Sequence, residues 1–101
     1  MLIRFEWDPR KAATNLRKHG VSFDTAVLVF ADPFALTGRW RIENGEHRWQ
    51  TLGLVEGRLL LLVAHTTRVD DYNGRPIEVI RIISARSADR KERLRYEQET
   101  R

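Results

Sequence analysis

The first residues of the chain alternate between two kinds of side chain, which predicts a β-strand at residues 2–7. In this stretch, LIRFEW, the residues Ile3, Phe5 and Trp7 point to one side, and Leu2, Arg4 and Glu6 to the other. Four later stretches are also typical of strands: FALTGRWRIENGEHR (34–48), which includes turn residues, RWQTLGLV (48–55), RLLLLVAHTTR (58–68) and IEVIRIISA (77–85).

Capping signals predict three helices. Asp8 is a good N-cap, Pro9 suits the first helical position, and Gly20 stands where a left-handed C-cap belongs. A second helix is expected to begin at the cap Ser22 and to end at Pro33. A third is expected from the cap Ser87 to about Glu99.

Turn residues join the later strands as hairpins. Asn44-Gly45 and Glu56-Gly57 indicate tight turns, and VDDYNGRP (69–76) is expected to be a polar loop. The predicted order is therefore β-α-α-β-β-β-β-α within one domain, residues 1–101. We expect an α+β fold in which the helices pack on one face of a mostly antiparallel, twisted sheet and leave the other face available.

The last strand and helix carry an unusual density of cations. Strict alternation places Ile80, Ile82 and Ser84 toward the helices, and Arg81, Ile83 and Ala85 on the opposite face. In the helix, Arg86, Arg90 and Arg93 are spaced to form one stripe. A solvated helix with ion pairs explains this pattern, and so does an arginine cluster that meets phosphate.

Composition narrows the classes of function. The formal net charge is +4, and only Lys11, Lys18 and Lys91 among the 18 basic residues are lysines. A biased proteome or a polyanionic partner would each produce this excess of arginine. The chain has no cysteine, which excludes disulfides and thiolate chemistry, and its three histidines lack metal-ligand spacing. We expect no metal, no cofactor, no signal peptide and no membrane span, and therefore a cytoplasmic protein.

Two groups of residues carry a resemblance to a known family. "EWD…K…N..KHG..F" near the start and "RIISAR.A...ER..Y" near the end, with LLLLVAHTTR between them, look like the BrnT family. The resemblance spans nearly the whole chain. It implies a RelE-like ribonuclease fold and the toxin half of a bacterial type II toxin–antitoxin pair. One departure is VDDYNGRPIE (69–78), which is longer and more acidic than the hairpin expected in the family.

The resemblance also implies partners. These are an RNA substrate and a cognate, BrnA-like antitoxin with a ribbon-helix-helix domain, in an expected heterotetramer that meets operator DNA only through the antitoxin. The expected activity is metal-independent endoribonuclease cleavage, in which a ribose 2′-OH attacks the adjacent phosphorus and translation is inhibited. The alternative is a non-catalytic antitoxin-binding subunit that acts as co-repressor of its own operon.

Cleavage of this kind requires proton transfer and cations near the phosphate. His19 and His65 are the candidates for proton transfer, although His19 also fits a helix cap and His65 a hydrogen-bonded histidine at the edge of the core. Trp40 is a candidate for stacking on bases. The complete candidate sets are Lys11, His19, Arg48, His65, Arg81 and Arg86 for catalysis, and Lys18, Trp40, Arg68, Arg90 and Arg93 for contact with RNA or the antitoxin.

Overall fold

The structure is a computed structural model that describes residues 2–100. Its elements in chain order are β1 (Leu2–Glu6), α1 (Pro9–His19), α2 (Phe23–Ala26), a 3-10 helix (Val27–Ala31), β2 (Leu36–Glu43), β3 (Glu46–Val55), β4 (Leu59–Tyr72), β5 (Arg75–Ser87) and α3 (Arg90–Glu99). None of the described helices is long and apolar enough to cross a membrane.

The strands form one sheet in the order β1-β5-β4-β3-β2. β1 runs parallel to β5, and the other neighbouring pairs are antiparallel. The predicted α+β class and the order of elements are confirmed. The second helix is shorter than predicted in its α-helical part, because the chain tightens into the 3-10 helix from Val27.

The helices cover both faces of the sheet, so the expectation that they pack on one face is wrong. The face that carries α1 and α2, called the α1 face, holds the larger apolar cluster, which includes Phe23, Val29, Leu61, Val63 and Ile82. The intervening residues of β3 and β4 point the other way and form a second cluster with Tyr96 of α3: Leu52, Leu60 and Leu62. This second surface is called the α3 face. Alternation along each strand makes the two faces distinct.

Polar contacts attach α3 to the sheet, since Tyr96 is its only buried residue. The Tyr96 hydroxyl donates to Asp32 at 2.6 Å, and burial together with this hydrogen bond raises the pKa of Tyr96 to about 12. The cap of α3 is Asp89, not the predicted Ser87, which is the last residue of β5. Asp89 and Glu92 form a reciprocal capping box, and Ser87 could not offer one at the required spacing.

Residues 69–76 are not a polar loop, contrary to the prediction. β4 continues to Tyr72 and β5 starts at Arg75, with paired residues up to Tyr72 and Arg75. The turn is reduced to Asn73 and Gly74, whose φ angles of 53° and 78° suit a tight hairpin. Polar side chains misled the prediction because this part of the hairpin extends beyond the helices, where both faces can be exposed.

A bulge in β5 reverses part of the predicted alternation. Ile82 pairs with His65 and Ser84 pairs with the next residue back, Ala64, so that Ile83 is an extra residue. Beyond it, Ala85 belongs to the cluster on the α1 face together with Ile80 and Ile82. Ala85 is therefore not on the face opposite to Ile82, as strict alternation predicted.

Close packing of the 3-10 helix on β3 depends on Gly53. A Cβ atom at this position would lie 2.8 Å from the Val29 Cβ and 2.9 Å from the Val29 carbonyl oxygen. We expect Gly53→Ala to lower the free energy of unfolding by about 2 kcal/mol, because backbone must move to relieve this overlap. The measurement is urea denaturation followed by circular dichroism.

Gly38→Ala is the matched control for that experiment. Gly38 also lies in a strand, and nothing is within 4 Å of its hypothetical Cβ atom. A Gly53→Ala protein as stable as the Gly38→Ala protein would show that the 3-10 helix is not held against β3 in this way.

Candidate functional site

Arginines lie on the half of the α3 face that α3 leaves uncovered. Five of them are called the cationic face: Arg4, Arg41, Arg48, Arg68 and Arg81. Thr66 pairs with Arg81 across β4 and β5. Trp49 pairs with His65, so Arg48, one residue before Trp49, flanks Thr66 from the β3 side. Arg48 and Arg81 therefore approach the same point of the sheet from the two strands that flank β4.

Two carboxylates hold part of this cationic face in place. Arg68 forms two hydrogen bonds to Glu6, at 2.9 and 3.2 Å, and Arg4 lies 3.5 Å from Asp70. The hydrogen bond from Arg68 lowers the pKa of Glu6, and the charges of Arg81 and Arg4 lower it further. Glu6 is therefore a weak base that orients guanidinium groups rather than a good acceptor of protons.

Arg48 and Arg81 differ in their surroundings. Arg48 contacts Glu43 at 3.0 Å, its side chain is only 16% exposed, and its buried Nε makes no hydrogen bond within the described part of the chain. Arg81 is exposed, and no carboxylate of residues 2–100 forms an ion pair with it. The guanidinium group of Arg81 is therefore accessible to an anion from outside the chain.

Arg86 lies on the same face but belongs to the attachment of α3. It donates two hydrogen bonds to Glu92, at 2.8 and 2.9 Å, and this pairing raises the pKa of Arg86 and lowers that of Glu92. Arg86 pairs with Leu62 and Arg81 with Thr66, which separates them by about 13 Å along the sheet. Arg90 and Arg93 are exposed on α3.

His65 lies on the opposite face from Arg48 and Arg81. Its Nε2 is 2.8 Å from the Thr51 hydroxyl, which in turn is 2.8 Å from the Thr37 hydroxyl, and its ring packs edge-on against Phe30. Burial lowers the pKa of His65, although the Thr66 backbone and the Glu78 carboxylate oppose this effect. The structure thus gives His65 the surroundings of a neutral core histidine.

The remaining candidates lie on helix α1 and at the sheet edge. Lys11, Lys18 and His19 are exposed on α1, which packs on the α1 face and so is separated by the sheet from Arg81. Trp40 is at an irregularity in the edge strand β2, and the Arg41 guanidinium lies 4.0 Å from the centre of its ring. Of the six catalytic candidates, the structure brings together Arg48 and Arg81.

Sequence reasoning missed three participants in this region: Thr66, Glu6 and Arg4. The sequence did contain a pattern that could have identified Arg4 and Glu6, because the alternation of β1 puts both on the side opposite to Phe5. What the sequence did not reveal is the parallel pairing of β1 with β5, which sets Glu6 beside Arg81. Within residues 2–100, no three His, Asp or Glu side chains cluster as metal ligands would.

Comparison with known proteins identifies the family to which this chain belongs. The sequence model of one family, described as the ribonuclease toxin, BrnT, of type II toxin–antitoxin systems, matches residues 7–92. No curated protein matches the chain. Among solved structures, the crystal structure of the Brucella abortus ribonuclease toxin, BrnT, matches with a TM-score of 0.55 at 20% sequence identity, covering 89% of this chain and 100% of that one.

At 20% identity the structural likeness shows the fold. The match to the family's sequence model shows membership of the family, because it covers most of the chain, from Trp7 to the first turn of α3. The matched region includes Arg48, Thr66 and Arg81. The chain belongs to the BrnT family of ribonuclease toxins of type II toxin–antitoxin systems.

Proposed function

We propose that this chain cleaves RNA without a metal ion, by attack of a ribose 2′-OH on the adjacent phosphorus, and that this cleavage inhibits translation. The observation that supports the proposal is the cationic face, where Arg48 and Arg81 flank Thr66 on a part of the sheet that no helix covers. Guanidinium groups bind phosphate through paired hydrogen bonds and stay charged at all relevant pH values.

In the proposed reaction the 2′-oxygen forms a bond to phosphorus while the bond from phosphorus to the 5′-oxygen breaks. The 2′-OH loses a proton, the leaving 5′-oxygen gains one, and the products are a 2′,3′-cyclic phosphate and a 5′-hydroxyl. Arg81 and Arg48 would stabilise the negative charge that develops on the phosphoryl oxygens, which is the largest contribution such a site can make. Arg68, oriented by Glu6, would hold the neighbouring phosphate.

The test uses purified protein and a labelled oligoribonucleotide, with and without ribosomes. We expect cleavage that persists in EDTA, yields a 2′,3′-cyclic phosphate, and disappears when the ribose at the cleaved position is replaced by 2′-deoxyribose. Cleavage of the deoxy-substituted strand, or loss of cleavage in EDTA that added Mg²⁺ restores, would contradict the proposed chemistry.

Membership of a type II toxin–antitoxin family implies an antitoxin partner. We propose that the cognate antitoxin carries a ribbon-helix-helix domain, neutralises the toxin in the cytoplasm, forms a heterotetramer with it, and alone contacts operator DNA. Exposed Arg90 and Arg93 would add cationic surface for RNA or for antitoxin carboxylates.

The alternative, a non-catalytic antitoxin-binding subunit, has one observation in its favour. Carboxylates of the chain itself already pair with Arg68 and Arg48 on the cationic face. Antitoxin binding by a protein that cleaves no RNA, with or without ribosomes, would establish this alternative in place of the ribonuclease.

A further inference from the structure

The α1 face also has an uncovered half, and its chemistry is opposite to that of the cationic face. We call it the apolar patch, and it consists of Ile3, Phe30, Ile42, Trp49, Val69 and Ile80. Three of these side chains are largely exposed: Ile3 by 51%, Ile42 by 60% and Val69 by 68%. Exposure of this kind on one surface of a chain with 32% charged residues calls for a partner.

Strand pairing places these residues on one surface. Ile3 and Val69 both pair with Glu78, from the two sides of β5. Ile42 pairs with His47, which shares its side of β3 with Trp49. Between them lies an open cleft of about 360 Å³, lined by residues of all five strands and walled by Phe30.

Charge is nearly absent from this cleft. Its lining residues are Ile3, Phe30, Thr37, Trp49, His65, Thr67, Glu78 and Ile80, and Glu78 is the only Asp, Glu, Lys or Arg among them. Thr67 donates a hydrogen bond of 3.0 Å to Glu78. At the β2 side, the Arg39 guanidinium lies 5.7 Å from the centre of the Trp49 ring.

We infer that the apolar patch is the anchoring surface for the antitoxin, and that it is separate from the surface that meets RNA. The core of a stable protein interface is apolar and poor in charged residues, which describes this patch more closely than it describes the five arginines of the cationic face. Charge complementarity defines the occupant: an antitoxin segment with apolar side chains, a basic residue that meets Glu78, and an acidic residue toward Arg39. The inference rests on the proposed antitoxin partner.

The test measures the affinity of purified toxin variants for the purified product of the adjacent antitoxin gene by titration calorimetry. We expect Val69→Asp and Ile42→Asp each to weaken binding at least about tenfold, because a carboxylate would be buried without a partner. RNA cleavage by the free variants is expected to stay within about twofold of the unsubstituted protein, since neither side chain belongs to the cationic face.

Leu16→Asp is the matched control. It adds the same charge at an apolar residue that is 52% exposed, but on α1 rather than in the patch. Its affinity for the antitoxin is expected to remain unchanged. Thermal unfolding of all three variants checks that each is folded.

Two outcomes would overturn the inference. One is unchanged antitoxin affinity of both Val69→Asp and Ile42→Asp. The other is a toxin that is dimeric by light scattering and becomes monomeric in these variants, because a second copy would then occupy the patch. A different result would contradict the proposed ribonuclease function, namely the absence of RNA cleavage by the unsubstituted protein. The measured affinities for the antitoxin would still test the apolar patch in that case.

Discussion

Arg81→Ala is expected to reduce RNA cleavage at least about 100-fold, which is the typical effect of removing one preorganised donor that stabilises a developing oxyanion. Arg81 is exposed on the cationic face and has no ion pair within residues 2–100, so nothing in the chain has to be displaced before it meets phosphate. The same substitution should abolish growth arrest when the protein is induced in a bacterial host.

Stability is not expected to change with Arg81→Ala, because the side chain lies on the surface and pairs with no carboxylate of the described chain. Arg48→Ala is expected to lower activity as well, but also to lower stability slightly, since this side chain is 16% exposed and contacts Glu43. Loss of activity without loss of stability thus distinguishes Arg81 from a residue that acts only through the fold.

Arg58→Ala serves as the control for charge. Arg58 is exposed in the turn between β3 and β4, at the opposite end of the sheet from Thr66. The control protein should cleave RNA at the rate of the unsubstituted protein. Full activity of a folded Arg81→Ala protein would remove Arg81 from the site and leave the charge stabilisation unexplained.

Asn15→Leu is expected to lower the free energy of unfolding by about 3 kcal/mol, because it leaves buried backbone groups without hydrogen-bond partners. The Asn15 side chain donates to the carbonyl oxygens of Val21 and Ala85, at 2.9 and 2.8 Å, and accepts from the Ala85 N–H at 3.0 Å. It is 4% exposed and is the only buried residue of α1.

Thermal unfolding measures this effect. For a domain of this size, 3 kcal/mol corresponds to a decrease in Tm of about 12 to 24 °C. Thr14→Ala, one residue earlier on the exposed side of the same helix, is expected to change Tm little. An Asn15→Leu protein that unfolds at the temperature of the Thr14→Ala protein would mean that α1 is not fastened to β5 through this amide.

Asn15 also shows the limit of helix periodicity. Helical spacing puts Asn15 in one stripe with Lys11 and Lys18, and Asn15 is also the asparagine of the motif that suggested the family. The residues of this stripe differ in burial: Lys11 and Lys18 are exposed, whereas Asn15 is buried against β5. Periodicity locates a side chain around a helix axis, but it does not reveal which neighbour lies there.

Local sequence was sufficient to predict the structure of those segments whose conformation depends only on neighbouring residues. The cap Asp8, the left-handed Gly20 and the Asn-Gly turns were predicted correctly because their conformations depend on nearby backbone alone. The α+β class and the order of elements followed from the apolar patterns between these signals. Alternation along the last strand also predicted that Arg81 lies on the side of the sheet opposite to Ile80 and Ile82.

Only the tertiary structure decided which residues share a surface. The bulge at Ile83 and the parallel pairing of β1 with β5 join positions far apart in the chain, and no local preference specifies either. These two features bring Glu6 to Arg81 and attach α3, through Arg86 and Tyr96, to the face opposite α1. The cationic face and the apolar patch exist because strand register assigns side chains from different strands to one side of a sheet or the other.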